Sequence, residues 1–282
     1  MIGGVAGSFN PSGCMRAMTA NYEVRPAAVA GLFYPRSPTE LVSALDTLLA
    51  GQAPAGHVPK ALIVPHAGYI YSGIVAGHAF RSLKACATPI ERVVLFGPSH
   101  REWFHGLAVP RVQAFATPLG IARIDEAAVG RVAALPAVIA SDAAHAREHS
   151  LEVQVPFLQR LLPDAPIVPV LVGETTAAEV EAALEALWGG PETLIVVSSD
   201  LSHYHSYEEA QSRDGATVGA ILAARATLTG EDACGCLPIN GLLRVTRRRG
   251  LRAELIDLRN SGDTAGDRDR VVGYGAFGFY DA

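Results

Sequence analysis

The chain has 282 residues, 49% of them hydrophobic and 18% charged, with a formal net charge of −5. That composition supplies a packed core and excludes both a disordered polyelectrolyte and a nucleic-acid binder built on a basic surface. The apolar runs are short and broken by Pro or Gly, which excludes a transmembrane helix, and four cysteines are too few to staple a chain of this length. A reducing cytoplasm is the compartment expected from this cysteine usage.

Residues 1–23 carry no basic start and no sustained apolar run, so they are expected to be a flexible leader rather than a signal peptide, with Met15 or Met18 as an alternative start. No repeat or linker interrupts 24–282, which is expected to form one domain. Val24 to Pro35 (VRPAAVAGLFYP) is apolar and proline-bounded, suited to covering a sheet edge or lining a site with Phe33 and Tyr34. Ser37 or Thr39 caps a helix through Leu49, whose Leu41, Leu45, Leu48 and Leu49 share a face. Ala61 to Val64 is a buried strand that Pro65 ends, leaving His66 just past its carboxyl end. Gly68 and Gly73 then read as flanking a turn, with Ser72 capping a helix from Gly73 to about Leu83. A second strand, Arg92 to Phe96, leads into Gly97-Pro98-Ser99-His100, and the span 61–96 has the length of a βαβ crossover.

Short extended pieces are expected at 107–109 and 112–115, then a helix over 125–135. A further helix is expected over 143–162, despite Pro156. Residues 166–172 form a buried strand, and 176–188 an amphipathic helix capped at Thr175 or Thr176. A third apolar strand, 193–197, runs into Ser198-Ser199-Asp200-Leu201-Ser202-His203. Helices over 207–228 and 238–248, then strands over 251–258 and 270–280, close the chain. The order of elements predicts an α/β fold: a mixed, largely parallel central sheet with helices on both faces.

Three apolar strands each deliver a histidine at the same kind of place. If they are parallel neighbours, His66, His100 and His203 converge on one rim, where ligands of open α/β sheets bind. Imidazole is a common ligand for borderline metals, and a hydrogen-bonded histidine at a strand terminus is the alternative for either one alone. Asp200 is placed to orient His203 as an acid–base group, or to cap the following helix. Glu148, His149 and Glu152 form a third cluster; on a helix His149 and Glu152 would share a face, as supports to a site or as ordinary surface charges. Cys234, in Cys234-Gly235-Cys236, would make a soft site beside two imidazoles, whereas taken alone it reads as a buried, inert thiol. The chain has no GxSxG elbow, P-loop or HExxH motif.

The stretches VPHAGYIYSG (64–73), FGPSH (96–100), EHSLEVQVPFL (148–158), SSDLSHY (198–204), CGCLPING (234–241) and NSGDTAGDRDRVVGY (260–274) resemble, in order, those of the Memo family, whose bacterial and archaeal members are labelled AmmeMemoRadiSam system protein B. The resemblance runs from about Val24 to Tyr280. It implies a fold like that of class III extradiol dioxygenases and a metal site, of iron or copper, whose ligands fall on His66, His100 and Cys234. The family's nearby Asp and His fall on Asp200 and His203 as catalytic groups, with Glu148, His149, Ser99 and Ser199 around the ligands. A cysteine stands where the dioxygenases have a carboxylate, and Cys236 stands where family members commonly have Arg. The function implied is a metal-dependent, dioxygenase-like oxidoreductase of unknown substrate. The alternatives are a non-catalytic ligand- or peptide-binding module, as animal members are linked to phosphotyrosine-peptide recognition, and a zinc or iron hydrolase using a metal-activated water. Family association also points to radical-SAM and AMMECR-type proteins as partners.

Overall fold

The structure is a computed structural model that describes residues 23–52, 58–85 and 88–281. The expected leader, but for Glu23, lies outside these residues, as do Cys14 and Cys86. In chain order the strands are β1 (Val24–Arg25), β2 (Ala61–Val64), β3 (Arg92–Pro98), β4 (Leu107–Val109), β5 (Ala114–Thr117), β6 (Gly120–Arg123), β7 (Val138–Ala140), β8 (Ile167–Val172), β9 (Thr193–Ser198), β10 (His203–His205), β11 (Arg252–Asn260) and β12 (Val271–Tyr280). The helices are α1 (Pro38–Leu48), α2 (Tyr69–Arg81), α3 (Glu126–Ala133), α4 (Asp142–Ala146), α5 (Val155–Leu161), α6 (Ala177–Leu187), α7 (Tyr207–Leu222) and α8 (Cys236–Arg249).

The main sheet has nine strands in the order β10-β12-β2-β9-β3-β8-β4-β7, with β11 also on β12. Its centre, β2-β9-β3-β8, is parallel; β12 and β4 pair antiparallel on either side. The sheet is therefore mixed and largely parallel at the core. Strands covered on both faces must be apolar on both, which is why β2, β8 and β9 read as unbroken hydrophobic runs. Successive side chains alternate between two cores. Leu62, Val64, Leu194 and Val196 pack with Leu41 and Leu45 of α1, Phe80 of α2 and Phe157 of α5. Ala61, Ile63, Ile195 and Val197 pack with Val132 of α3, Val180 and Leu184 of α6, Ile221 of α7 and Leu242 of α8. Each fully buried Leu, Ile or Phe contributes about 1.5–3 kcal/mol of transfer free energy. A second sheet, β1-β5-β6, ties the first strand among the described residues to the middle of the chain.

Three helices depart from the sequence pattern. α2 starts at Tyr69, ahead of the expected Gly73, and Ser72 does not cap it; its hydroxyl donates to the Ala67 carbonyl. Gly73 and Gly77 are helical positions against α1, not turn positions: a Cβ on Gly77 would stand 2.3 Å from the Leu48 carbonyl oxygen. The expected helix over 143–162 is broken into α4, an irregular segment with a 3-10 turn at Glu152–Gln154, and α5. Side chains from distant elements take its backbone groups, as described below. α7 stops at Leu222, short of the expected 228; Ala224 lies in the left-handed region (φ 50°), and the Asn240 side chain bonds both backbone groups of Leu228. The strands β1, β6, β7 and β10 have two to four residues each, too short to show a period.

His145, in α4, is buried, and its Nε2 donates to the Ala108 carbonyl at 3.1 Å. Burial pushes its pKa down from 6.5 to about 4, so the folded state holds it neutral. A base with a depressed folded pKa contributes stability above its unfolded pKa and loses it as pH falls toward the folded value. The stability advantage of the wild type over His145→Gln should accordingly shrink by roughly 2–3 kcal/mol between about pH 7 and about pH 4.5. Urea unfolding of both proteins at the two pH values measures it; an unchanged gap would mean the imidazole protonates without cost.

Candidate metal centre

His66 follows the end of β2 and is buried. Its backbone N–H donates to Asp200 Oδ1 at 2.7 Å, and its Nδ1 lies 2.9 Å from Ser198 Oγ. The single hydroxyl proton of Ser198 goes to the Ser150 carbonyl at 2.6 Å, and the same oxygen accepts from Gln154 Nε2. Ser198 therefore has only lone pairs to offer His66, so the proton sits on Nδ1 and Nε2 keeps a free lone pair. Burial, and after it the neighbouring His100 and His149, hold the His66 pKa well below the usual histidine value, which keeps the ring neutral.

His100 follows the end of β3 and is turned by Glu148. One carboxylate oxygen accepts the His100 backbone N–H at 2.5 Å; the other faces His100 Nδ1 at 3.0 Å and accepts the backbone N–H groups of His149 and Ser150. A carboxylate that only accepts puts the His100 proton on Nδ1 and frees Nε2, the carboxylate–histidine arrangement that orients metal ligands. Burial raises the Glu148 pKa, but the hydrogen bond from the His100 ring, with that from the Ser150 backbone and the close His149 ring, outweighs it and holds the carboxyl well below the usual range. His149 stacks on His100 with ring centroids 4.7 Å apart and stands edge-on to His66 at 5.4 Å. One donor nitrogen of each of the three rings lies within 4.8 Å of the other two. His149 Nδ1 is buried 3.1 Å from Glu148 Oε1, off the line of a hydrogen bond.

The Cys234 sulfur stands 3.3 Å from His66 Nε2, at the entry to α8. Burial, and then Asp200, push its thiol up to about 12, so a bound cation would have to displace the proton. Ser199 Oγ donates to the Asp200 carbonyl and accepts the Gly235 N–H at 2.9 Å, which fixes the turn carrying Cys234. A Cβ on Gly235 would meet the Ser199 Cβ at 2.6 Å, so only glycine fits between the thiol and the strand end. Cys236 already belongs to α8 and lines a neighbouring hollow of about 440 Å³ that Cys234 and His100 also border. Ser99 donates to the Glu102 carbonyl, closing the turn behind His100.

A cleft of about 800 Å³ opens over the imidazoles, walled by Phe33, Tyr71 and Tyr274, with Arg101 and Arg270 also lining it. His203 and Asp200 border it as well. His203 is carried by the edge strand β10 rather than by the end of β9, and it is His149 that closes the group with His66 and His100. Asp200 spends its hydrogen bond on the His66 backbone; among the described residues none joins it to the His203 ring. Glu152 does not share a helix face with His149. It is fully buried and accepts from Arg25, Tyr34 and the N–H groups of Ala28 and Val29. Sequence reading passed over Arg25. The signal was present: one arginine and one glutamate, each inside an apolar stretch, must find each other or another partner if both stretches are buried.

Three imidazoles with a nitrogen of each within 4.8 Å of the others, and a thiol 3.3 Å from one of them, stand beside the carboxyl ends of parallel strands, so that this α/β protein has a group that could hold a metal ion. The Memo-like protein family matches residues 25–277, and the chain belongs to that family. It is 36% identical to a MEMO1 family protein of Aquifex aeolicus over 264 residues, 89% of this chain and 97% of the other. It is 37% identical to one of Methanosarcina mazei over 269 residues, 90% and 98% of the two chains. A looser likeness, TM-score 0.47 and 17% identity over 78% of this chain and 99% of the other, is to the crystal structure of an uncharacterized protein of Escherichia coli K12. No helix among the described residues is long and apolar enough to cross a membrane.

Proposed function

We propose that the chain is a metal-dependent oxidoreductase whose ion, iron(II) or copper, is held by His66, His100 and Cys234. The observation that supports this best is the pair of anchored Nδ1–H groups, which leave two Nε2 lone pairs free beside one thiol. The ion would supply redox chemistry; the chain supplies imidazole and thiol donors, a cleft wall of aromatic rings, and His203 as a proton-handling group at the cleft. Arg101 and Arg270 line that cleft without a carboxylate partner among the described residues, which suits a small anionic substrate. The same two arginines favour a second reading, in which the cleft holds an anionic molecule or peptide without turnover. The reading also places the protein in the cytoplasm, working with the radical-SAM and AMMECR-type proteins of the family association.

The choice of third donor is testable. Competition against a Cu(I) chelator under anaerobic conditions should show Cys234→Ser losing about 10-fold or more in affinity, because a hydroxyl is a poor ligand for a soft ion. Cys236→Ser should change little. If His149→Ala loses the affinity and Cys234→Ser does not, the third donor is the imidazole and the soft-site argument fails. Oxygen consumption by the reconstituted protein, assayed with small aromatic acids, would then separate an oxidoreductase from a binding module.

A further inference from the structure

The structure assigns Arg25 a role in orienting the metal-capable histidines, as a positioning residue rather than a ligand; the metal part of this inference rests on the function proposed above. Arg25 lies in β1, in the apolar N-terminal stretch, and is buried. Its guanidinium donates along three lines. Nε bonds the His145 carbonyl at 2.6 Å, Nη2 the Glu148 carbonyl at 2.6 Å, and Nη1 the Glu152 carboxylate at 2.6 Å. The face of the Phe115 ring, its partner in the β1–β5 pairing, lies 4.7 Å from the guanidinium carbon.

Those contacts fall on the segment where the helix expected over 143–162 breaks. A continued helix would have satisfied the carbonyls of His145 and Glu148 within itself. The arginine takes the Glu148 carbonyl instead and shares the His145 carbonyl with the Glu148 N–H, which lies 3.2 Å from it; this lets the backbone leave the helical path and aim the Glu148 side chain at His100. Glu148 then accepts both the backbone N–H and the Nδ1–H of His100. The chain of contacts from guanidinium to the Glu148 backbone, to its carboxylate, to the His100 tautomer is continuous. Glu152 anchors the far end of the fork and is itself held by Tyr34 Oη at 2.6 Å and by two backbone N–H groups. The stretch VRPAAVAGLFYP is thus wired to the centre by its charge and its tyrosine, as well as covering it with Phe33. Three divergent donors in one plane are needed, so lysine, a point donor on a flexible stem, cannot replace the arginine.

The test compares wild type, Arg25→Lys and Glu152→Gln, with His66→Ala as the metal-free reference. Long-range proton–nitrogen correlation spectra of the metal-free proteins report the tautomer of each imidazole. In Arg25→Lys the His100 ring should lose its fixed Nδ1–H form, while His66, which Ser198 holds, keeps its own. Cu(I) affinity, by chelator competition, should fall about 10-fold or more, the usual cost of disturbing a group that orients a ligand. A lower melting temperature with the His100 tautomer and Cu(I) affinity both unchanged would make Arg25 purely structural and overturn the inference. Should Arg25→Lys fail to fold, Glu152→Gln, which keeps the shape and removes the charge that anchors Nη1, must show the same changes to a smaller degree; no change there overturns it equally. If wild type binds Cu(I) no better than His66→Ala, the metal reading fails, and the tautomer spectra still decide whether Arg25 orients His100.

Discussion

His66→Ala is expected to lose its metal outright, by more than about 100-fold in affinity, since disturbing even a group that merely orients a ligand costs about 10–100-fold. Three features make His66 the centre of the cluster. It is buried, its proton is committed to Ser198, and its free Nε2 lies against the Cys234 sulfur. Its ring also contacts those of both His100 and His149. His203→Ala, by contrast, should retain metal to within about twofold and lose turnover, because His203 borders the cleft without joining the imidazole group, and general acid–base groups contribute about 100-fold or more to rate. Elemental analysis after anaerobic reconstitution, with circular dichroism to check the fold, distinguishes the two. Equal metal loss in both variants would make His203 a ligand and redraw the centre.

The second large effect is expected from Glu148→Gln, a change that conserves shape and removes charge. Four N–H groups donate to the Glu148 carboxylate: the His100 backbone and Nδ1, and the backbones of His149 and Ser150. A glutamine has one oxygen to accept them and an NH₂ that must face one of the others. If its oxygen serves the three donors at Oε1, the NH₂ opposes the His100 N–H; the reverse orientation orphans three. Each buried unsatisfied donor costs about 1–3 kcal/mol, so destabilisation of about 3 kcal/mol or more is expected, with metal affinity down about 10–100-fold. Glu148→Asp keeps the charge with a shorter reach and should fall between wild type and Glu148→Gln. Chemical denaturation and metal titration of the three proteins test this together. Wild-type affinity in Glu148→Gln would show that His100 is oriented by something other than this carboxylate.

The α6 cap shows what local sequence carries well. Thr176 and Glu179 satisfy each other's backbone groups in the structure as their spacing requires. The segment over 143–162 shows the opposite. Its apolar spacing reads as one helix, and locally that reading is sound. Where the helix breaks, Arg25, 123 positions before Glu148, takes a carbonyl that a continued helix would have used. Gly73 misled for a related reason: a glycine looks the same in a sequence whether it serves a turn or a close helix contact, and only the position of Leu48 decides between them.

By itself the sequence determined the central strands, since burial on both faces leaves only apolar residues to read. It also determined the placement of His66 and His100 near strand ends: Pro65 stops the first ladder just before His66, while the second strand, expected to end at Phe96, runs on through Gly97 and Pro98 before it releases His100. The family followed from six motifs in order. Tertiary structure alone decided that β9 lies between β2 and β3, which sets Ser198 and Asp200 beside His66. It decided that His149 rather than His203 completes the imidazole group, that Asp200 holds the backbone of His66, and that Arg25 pairs with Glu152. The reason is one of range. Periodicity and turn chemistry are properties of neighbouring residues, whereas a buried hydrogen bond or ion pair is chosen by whichever distant partner packing brings within about 3 Å.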